Sequence, residues 1–228
     1  MKQNEEKKKK PRKKVKKYKL FSFKYFIYDF VKITGFIPMW LIMRPKIIRL
    51  GEKKRFKGAL IISNHIGAMD CVRIQFAFPF RRRWILAMKE VFEKPLSAFF
   101  FKNVNCIPVD RENVTIDTYH NVSDVLTSDK LLVLFPEGKI NQDEKAEVQK
   151  FKGGAALFAI MNKVPVIPVY IVKKTKWYQR EKMIVGEPIF LEDVCGGIPT
   201  LKDVNKVSEY LHDKEQELEA YYENNLKK

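Results

Sequence analysis

The sequence predicts an α/β protein with a mostly parallel sheet flanked by helices, preceded by an N-terminal amphipathic helical segment. Beyond Gly51, short apolar runs alternate with longer segments of helical periodicity. This alternation is typical of repeated βα units, in which helices cover a parallel sheet. Before Gly51, large aromatic side chains recur at helical spacing directly after a lysine-rich stretch.

The composition is that of a globular chain with one main domain. Its 228 residues are 46% apolar and 13% aromatic, which is enough to bury a sizeable core. The three cysteines, Cys71, Cys106 and Cys195, show neither CxxC nor zinc-site spacing. An odd number of cysteines without such a framework favours a reducing compartment. We expect these cysteines to pack as small apolar residues in or near the core.

Positive charge is concentrated at the N-terminus. Residues 1–20 contain eleven Lys and Arg against Glu5 and Glu6, which gives +9 of the formal net charge of +17. This basic arm lacks apolar periodicity and cannot offset the entropy of ordering, so we expect it to be disordered. It favours an anionic partner, either a phospholipid surface, a nucleic acid or an acidic protein. Nucleic acid is disfavoured, because no nucleic-acid fold signature accompanies the lysines.

Residues 21–50 form a second predicted segment, an amphipathic helical segment that associates with a membrane. Large apolar side chains recur on one face of its helix, at Phe23, Phe26, Ile27 and Phe30. A spanning helix needs about 20 mainly apolar residues. The apolar region of this chain, at 21–43, is interrupted by Asp29, Lys32, Gly35 and Pro38. We therefore expect the segment to lie in the membrane interface, with an ordinary core-packing helix as the alternative. No cleavable signal peptide is predicted.

Residues 51–228 form the predicted α/β domain. Strands are predicted at 59–63, 84–88, 104–109, 131–135, 165–171 and 182–186. Helices are predicted at 69–78, 93–101, 114–127, 152–162 and 203–225. The last of these helices carries an apolar stripe, which indicates packing against the core.

The candidate reactive pair is His65 and Asp70, in the stretch 64–70 that follows the apolar run at 59–62. Histidine near its free pKa can take a proton from an alcohol at neutral pH. A carboxylate bonded to its other ring nitrogen fixes the tautomer and stabilises the imidazolium. Five positions along a helix correspond to about 500° of rotation, so the two residues do not share a helical face. The spacing fits a histidine at a helix mouth; the alternative is a buried histidine beside an Asp near a helix start.

Three further segments accompany this pair: VNCIPVDR (104–111), LLVLFPEG (131–138) and VPVIPVYI (164–171). Together with His65 and Asp70, they resemble the four sequence blocks of the glycerolipid acyltransferase family, which includes the bacterial 1-acylglycerol-3-phosphate acyltransferases. Shorter stretches match the family too, at AMKE (87–90), FKGGA (151–155) and VGEPI (185–189). The resemblance extends over residues 35–190, which is most of the chain.

The resemblance implies a role for each matching residue. His65 would be the general base and Asp70 its orienting partner. The candidate substrate-binding set is Lys89, Arg111, Glu137 and Gly138, at positions that match the family, together with Lys139, which departs from the family pattern but supplies a positive charge. Within that set, Arg111 matches a phosphate-binding arginine, Lys89 a lysine near the acyl carbonyl or phosphate, and Glu137 a glutamate that helps to bind the acceptor. Without the resemblance, Arg111 fits a surface ion pair with Asp110 or Glu112, and Lys89 an ordinary surface lysine.

The chain departs from the family pattern at one position. Where the family usually reads FPEGTRS, this sequence reads FPEGKIN at 135–141, with Ile140 at the place of the arginine. Isoleucine cannot bind phosphate. Lys139 restores a positive charge one residue earlier, but a lysine is a point charge and lacks the bidentate fork of an arginine. The departure weakens the inference that the acceptor is lysophosphatidic acid itself.

These observations predict an O-acyltransferase that moves a fatty acyl chain from a thioester, either acyl-CoA or acyl-carrier protein, to a lysophospholipid. The favoured acceptor is 1-acylglycerol 3-phosphate, which would give phosphatidic acid for phospholipid synthesis. We expect no metal and no bound cofactor. The predicted place of action is an anionic membrane surface on the cytoplasmic side, with peripheral or monotopic attachment. The alternatives are acylation of another lysolipid and a non-catalytic, basic membrane-binding protein.

Overall fold

The structure is a computed structural model, and it describes residues 23–51, 56–110, 115–141, 148–174, 178–191 and 199–227. The predictions for the basic arm at 1–20, for Arg111 and for Cys195 lie outside the described residues.

In the described part of the chain, seven strands form one sheet. They are β1 (Lys46–Arg49), β2 (Ala59–Ser63), β3 (Arg83–Met88), β4 (Cys106–Val109), β5 (Leu131–Leu134), β6 (Val166–Val172) and β7 (Lys182–Val185). The helices are α1 (Phe26–Met43), α2 (Asp70–Ala77), α3 (Pro95–Asn103), α4 (Ile116–Thr127), α5 (Gly154–Asn162) and α6 (Leu201–Asn225). Short 3₁₀ turns occupy Phe23–Tyr25 and Lys89–Phe92.

The sheet has the strand order β1-β7-β6-β2-β5-β3-β4. Every neighbouring pair is parallel except β6 and β7, which are antiparallel. β2 lies at the centre, where Ile61 stands opposite Val133 on one side and Ile167 on the other. All five of its residues are buried, because helices cover both faces of the sheet. The predicted α/β architecture with a mostly parallel sheet is confirmed.

β1 is the strand that the sequence analysis missed. Its two apolar residues are flanked by Lys46 and Arg49, which is too short a run to show a strand pattern. It pairs in parallel with β7 at the edge of the sheet. The sheet therefore begins at Lys46, ahead of the boundary predicted at residue 51.

The two faces of the sheet have separate apolar cores. On one face, α4, α5 and α6 cover side chains such as Leu60 and Leu132. On the other face, α1 and α2 cover Ile61, Ile85 and Val133. This second face also contains the candidate site, because α2 starts directly after the loop that follows β2.

α1 exposes most of its large apolar side chains, while Phe36, Met39 and Met43 pack against the core of the domain. Ile37 is 66% exposed and Ile42 is 71% exposed, whereas the polar Tyr28 and Asp29 are buried against the domain. An ordinary core-packing helix would show the opposite arrangement. The helix continues as a single element through Gly35 and Pro38, which interrupt the apolar stretch of the sequence. The segment Phe23–Met43 is, by length and composition, apolar enough to cross a membrane.

Candidate active site

His65 and Asp70 meet in the turn between β2 and α2. Asp70 is the first residue of α2, and its Oδ2 lies 2.8 Å from Nδ1 of His65. The turn folds back because the same Oδ2 accepts hydrogen bonds from the backbone N–H groups of Ile66, at 2.7 Å, and Gly67, at 2.9 Å. A carboxylate that receives backbone donors at a helix N-terminus is in a favourable electrostatic position.

The surroundings of Asp70 fix the orientation of the imidazole. Its carboxylate is fully buried, and its second oxygen, Oδ1, accepts a hydrogen bond of 2.6 Å from Nη1 of Arg73. As an ionised carboxylate only accepts hydrogen bonds, the proton of the neutral imidazole belongs on Nδ1. The ring also stacks on Phe135, with 4.2 Å between ring centroids. Nε2 is thereby left as the acceptor, which is the state that a general base needs.

Arg73 links this pair to the residues between β6 and β7. Its Nε donates to Oε2 of Glu181 at 3.0 Å, and Lys174 reaches Oε1 of the same carboxylate at 3.0 Å. The series Asp70, Arg73, Glu181 and Lys174 alternates negative and positive charges. Sequence analysis did not identify Arg73 or Glu181, because their contact joins positions 108 apart and no local pattern reports it.

Glu215 of α6 holds the backbone next to the histidine. Its Oε1 accepts the backbone N–H of Asn64, while the Asn64 side chain bonds to both backbone groups of Ile171 in β6. Glu215 is fully buried, and this burial raises its pKa well above the usual range. The sequence analysis missed Glu215. A signal was present, since it shares the apolar helical face of Leu211 and Leu218.

Glu137 follows β5 and is buried beneath the same turn, with 4% of its surface exposed. Burial, the largest cause, raises the pKa of its carboxyl to about 7; the nearby carboxylates of Asp70 and Glu219 act in the same direction. The backbone N–H groups of His65 and Gln149 lower the pKa. Neither oxygen, however, has a hydrogen-bond partner of normal geometry among the described residues. The structure therefore places Glu137 near His65, but below the surface of the site.

Gly138 shapes the turn after Glu137. Its φ of 75° lies in the left-handed region that favours glycine, and a Cβ there would stand 3.0 Å from the side chain of Lys152. Lys139 and Ile140 follow this turn and line the cavity that His65 faces. The turn thus brings Lys139, one of the predicted binding residues, to the site.

Lys89 lies at the end of β3, on the same edge of the sheet. Its Nζ is 2.6 Å from Oδ2 of Asp110, which follows β4, and its side chain is 57% exposed. Both residues make further interactions in the structure. Lys89 is therefore an ion-paired surface residue near the site, and its predicted substrate contact stays a prediction.

A cavity of about 1040 Å³ opens beside His65. It runs between β3 on one side and α1 and α2 on the other, with Phe100 and Phe101 of α3 among its lining residues. Within the described ranges, no three His, Cys, Asp or Glu side chains come together so as to hold a metal ion. The arrangement offers an oriented base beside an apolar chamber, which suits removal of a proton from a hydroxyl next to a long apolar substrate.

Comparison with known protein families gives the class of protein to which this fold and this oriented histidine belong. Residues 47–172, more than half of the chain, match the family model described as Acyltransferase, and the chain belongs to this family. It is an O-acyltransferase enzyme, and the resemblance seen in its sequence blocks is confirmed.

Two curated relatives carry the name 1-acyl-sn-glycerol-3-phosphate acyltransferase. The one from Bacillus subtilis (strain 168) is 27% identical over 172 residues, which cover 71% of this chain and 81% of the relative. The one from Streptococcus pneumoniae (strain ATCC BAA-255 / R6) is 29% identical over 141 residues, 59% of this chain and 51% of the relative. A solved structure, the 1-acyl-sn-glycerophosphate (LPA) acyltransferase from Thermotoga maritima, shares the fold with a TM-score of 0.58 and 18% identity. That match covers 86% of this chain and 81% of the other.

The raised pKa of Glu137 predicts a pH dependence of stability. The ordinary pKa of a glutamate is 4.5 and that of folded Glu137 is about 7, so between these values the folded protein holds a proton that the unfolded chain releases. The free energy of unfolding should therefore decrease as pH rises through this window and level off above it. Glu137→Gln cannot ionise, and its free energy of unfolding should decrease less, as measured by chemical denaturation at both ends of the window.

Glu209→Gln is the matched control for this prediction, because Glu209 is an exposed glutamate of α6. This variant should retain the pH dependence of the unmodified protein. An equal decrease in Glu137→Gln and in the unmodified protein would show that the Glu137 carboxyl titrates normally.

Proposed function

We propose that this enzyme transfers a fatty acyl group from a thioester to the hydroxyl of 1-acylglycerol 3-phosphate at the cytoplasmic face of a membrane. The observation that carries the proposal is the 2.8 Å contact of His65 with a buried Asp70 at the mouth of an apolar cavity. The names of the two relatives support this acceptor. The donor is acyl-CoA or an acyl-carrier protein.

The chemistry requires one oriented base. Nε2 of His65 takes the proton of the acceptor hydroxyl as its oxygen attacks the thioester carbonyl carbon. The tetrahedral intermediate then expels the thiolate, and the imidazolium returns the proton to the leaving sulfur. Asp70 stabilises the imidazolium between these two steps.

Direct attack fits the site better than a covalent acyl-enzyme. Cys71 and Cys106 line the cavity, and burial raises the pKa of both thiols, that of Cys106 to about 12. A thiol that stays protonated at neutral pH is a poor nucleophile. The attacking oxygen is therefore that of the acceptor.

The cavity suits the acyl chain of the donor. Its walls between the helices and β3 are mainly apolar, with Val31, Phe36, Met39, Val72, Phe76 and Ile85 among them. Transfer of each methylene from water into such surroundings contributes about 0.8 kcal/mol. A chain in this chamber would place its thioester carbonyl at the mouth, beside His65.

The acceptor phosphate would bind to cations at the mouth of the cavity. Lys139 lines it, and Lys89 lies on the same edge of the sheet. Arg111, which the sequence resemblance matches to a phosphate-binding arginine, directly follows Asp110 in the sequence. Ile140 stands at the mouth without a charge, which favours a second candidate function, acylation of a lysolipid with a larger or neutral head group.

The exposed face of α1 supports attachment to a membrane surface. Its outward apolar side chains would enter the interface, while the basic arm at 1–20 would bind anionic lipid head groups. Since α1 also forms one wall of the cavity, a lipid substrate would have a short path from the membrane to His65.

The catalytic prediction concerns the base and its partner. His65→Ala should lower kcat by about 10²–10⁴, because the hydroxyl keeps its proton in the transition state. Asp70→Asn should also be severely impaired, since the amide no longer fixes the required tautomer. The measurement is formation of phosphatidic acid from 1-acylglycerol 3-phosphate by mass spectrometry, with circular dichroism as the control for folding. Normal turnover in His65→Ala would refute the mechanism.

The membrane prediction concerns the outward face of α1. Replacing both Ile37 and Ile42 by Glu should weaken binding to anionic vesicles, because apolar area can no longer enter the interface. Ile116→Glu is the matched control, since Ile116 is 75% exposed on α4 and should not contribute to vesicle binding.

Deleting residues 1–20 should reduce the salt sensitivity of vesicle binding, as each basic residue near such a surface contributes about 1 kcal/mol. Equal vesicle binding by all of these proteins would exclude α1 and the arm as the attachment.

The acceptor prediction concerns the phosphate. Arg111→Ala should raise the KM for 1-acylglycerol 3-phosphate far more than the KM for the donor, which serves as the internal control. Ile140→Arg should lower the acceptor KM if the natural head group is a phosphomonoester, and should have little effect if it is larger or neutral. An unchanged acceptor KM in Arg111→Ala would place the phosphate elsewhere.

A further inference from the structure

The cavity has a polar inner end, opposite the mouth at His65. β3 lines its length from Met88 at the mouth to Arg83, and five residue steps of about 3.3 Å give this wall a length of about 16 Å. Arg83 shares one face of the strand with Ile85, because side chains alternate along a strand. Around Arg83, the inner end is lined by the polar residues Tyr28, Lys32 and Gln75.

Arg83 is a buried cation that forms no ion pair with any of the described residues. Its side chain lines the cavity and the residue is only 7% exposed. Its Nε and Nη1 are buried and have no hydrogen-bond partner among the described residues. Buried polar groups in proteins are nearly always paired, and an uncompensated buried charge is strongly unfavourable. The position of Arg83 therefore calls for a ligand that supplies acceptors.

The described neighbours of Arg83 do not neutralise it. Asp29 is already engaged by the adjacent Arg82, whose Nε lies 3.0 Å from Oδ1 and whose Nη2 contacts Oδ2. The thiols of Cys71 and Cys106 are close enough to interact with Arg83, but burial raises the pKa of each, so both are neutral. The hydroxyl of Tyr28 accepts the backbone N–H of Arg83 and donates to Gln75, so its contact is with the Arg83 backbone.

We propose that the inner end of this cavity is an anion site that receives the terminal carboxylate of an aliphatic chain. The apolar walls hold the chain, and the guanidinium supplies charge-assisted hydrogen bonds at its end. Two sources share this chemistry: a free fatty acid bound with its carboxylate inward, and an acyl group whose far end carries a carboxyl. The inference rests on the proposed use of the cavity for acyl chains.

The test measures binding to the full-length protein by calorimetry, with no acyl transfer involved. Dodecanoate should bind at least tenfold more tightly than dodecanol, a difference of about 1.4 kcal/mol. Arg83→Met should remove this preference while dodecanol binding changes little, and Arg83→Lys should keep part of it. Arg180→Met, which removes an exposed arginine, is the matched control and should bind both probes like the unmodified protein.

Equal binding of dodecanoate and dodecanol by the unmodified protein would overturn the anion site, whatever the variants do. An unchanged preference in Arg83→Met would overturn the role of Arg83. The monomethyl ester of dodecanedioate separates the two sources. Tighter binding of this ester than of dodecanoate indicates the acyl source, because its ester can reach Lys139 at the mouth, and weaker binding indicates the free fatty acid. If the unmodified protein showed no acyl transfer in a separate assay, the proposed function would be refuted, but these binding results would still stand.

Discussion

The buried carboxylate of Asp70 is the constraint on which the site depends. Four donors converge on it: the ring of His65, two backbone N–H groups of the turn, and the guanidinium of Arg73. Asp70 is also the first residue of α2, so the orientation of the imidazole depends on the position of this helix. The helix in turn forms one wall of the cavity. Loss of the Asp70 charge would therefore affect the base, the turn and the chamber together, and a buried group deprived of its partner is costly.

A second constraint comes from acidic groups on the opposite face of the sheet. Glu215 of α6 contacts the backbone of Asn64, directly before the histidine, and Glu137 is buried nearby. Burial is the main cause that raises both pKa values, and nearby carboxylates act in the same direction, so the two carboxyls retain protons to higher pH than exposed glutamates do. The turn that carries His65 is thus held between α2 and the C-terminal helix. Its geometry depends on residues that are 151 positions apart in the sequence.

Local patterns predicted much of this structure, and long-range contacts account for what they missed. The central strands are apolar runs bounded by turns, and the His65–Asp70 pairing is complete within one turn, so both could be predicted from the sequence. β1 could not, because two apolar residues between charges give no periodicity. Arg73 and Arg83 have ordinary sequence surroundings; their roles arise from a distant carboxylate and from a cavity that exists only in the fold. The pairing of Lys89 with Asp110 likewise depends on β3 and β4 lying side by side.

The ring nitrogen of His65 that carries the proton is the decisive property of the site, because only an unprotonated Nε2 can accept the proton of a hydroxyl. Nuclear magnetic resonance of protein labelled with ¹⁵N in its histidines distinguishes the two ring nitrogens, and comparison with His65→Ala assigns the signals of this residue. At a pH where the ring is neutral, we expect the proton on Nδ1 and none on Nε2, with this preference lost in Asp70→Asn. A ring protonated on Nε2, or a tautomer that does not respond to Asp70→Asn, would contradict this expectation.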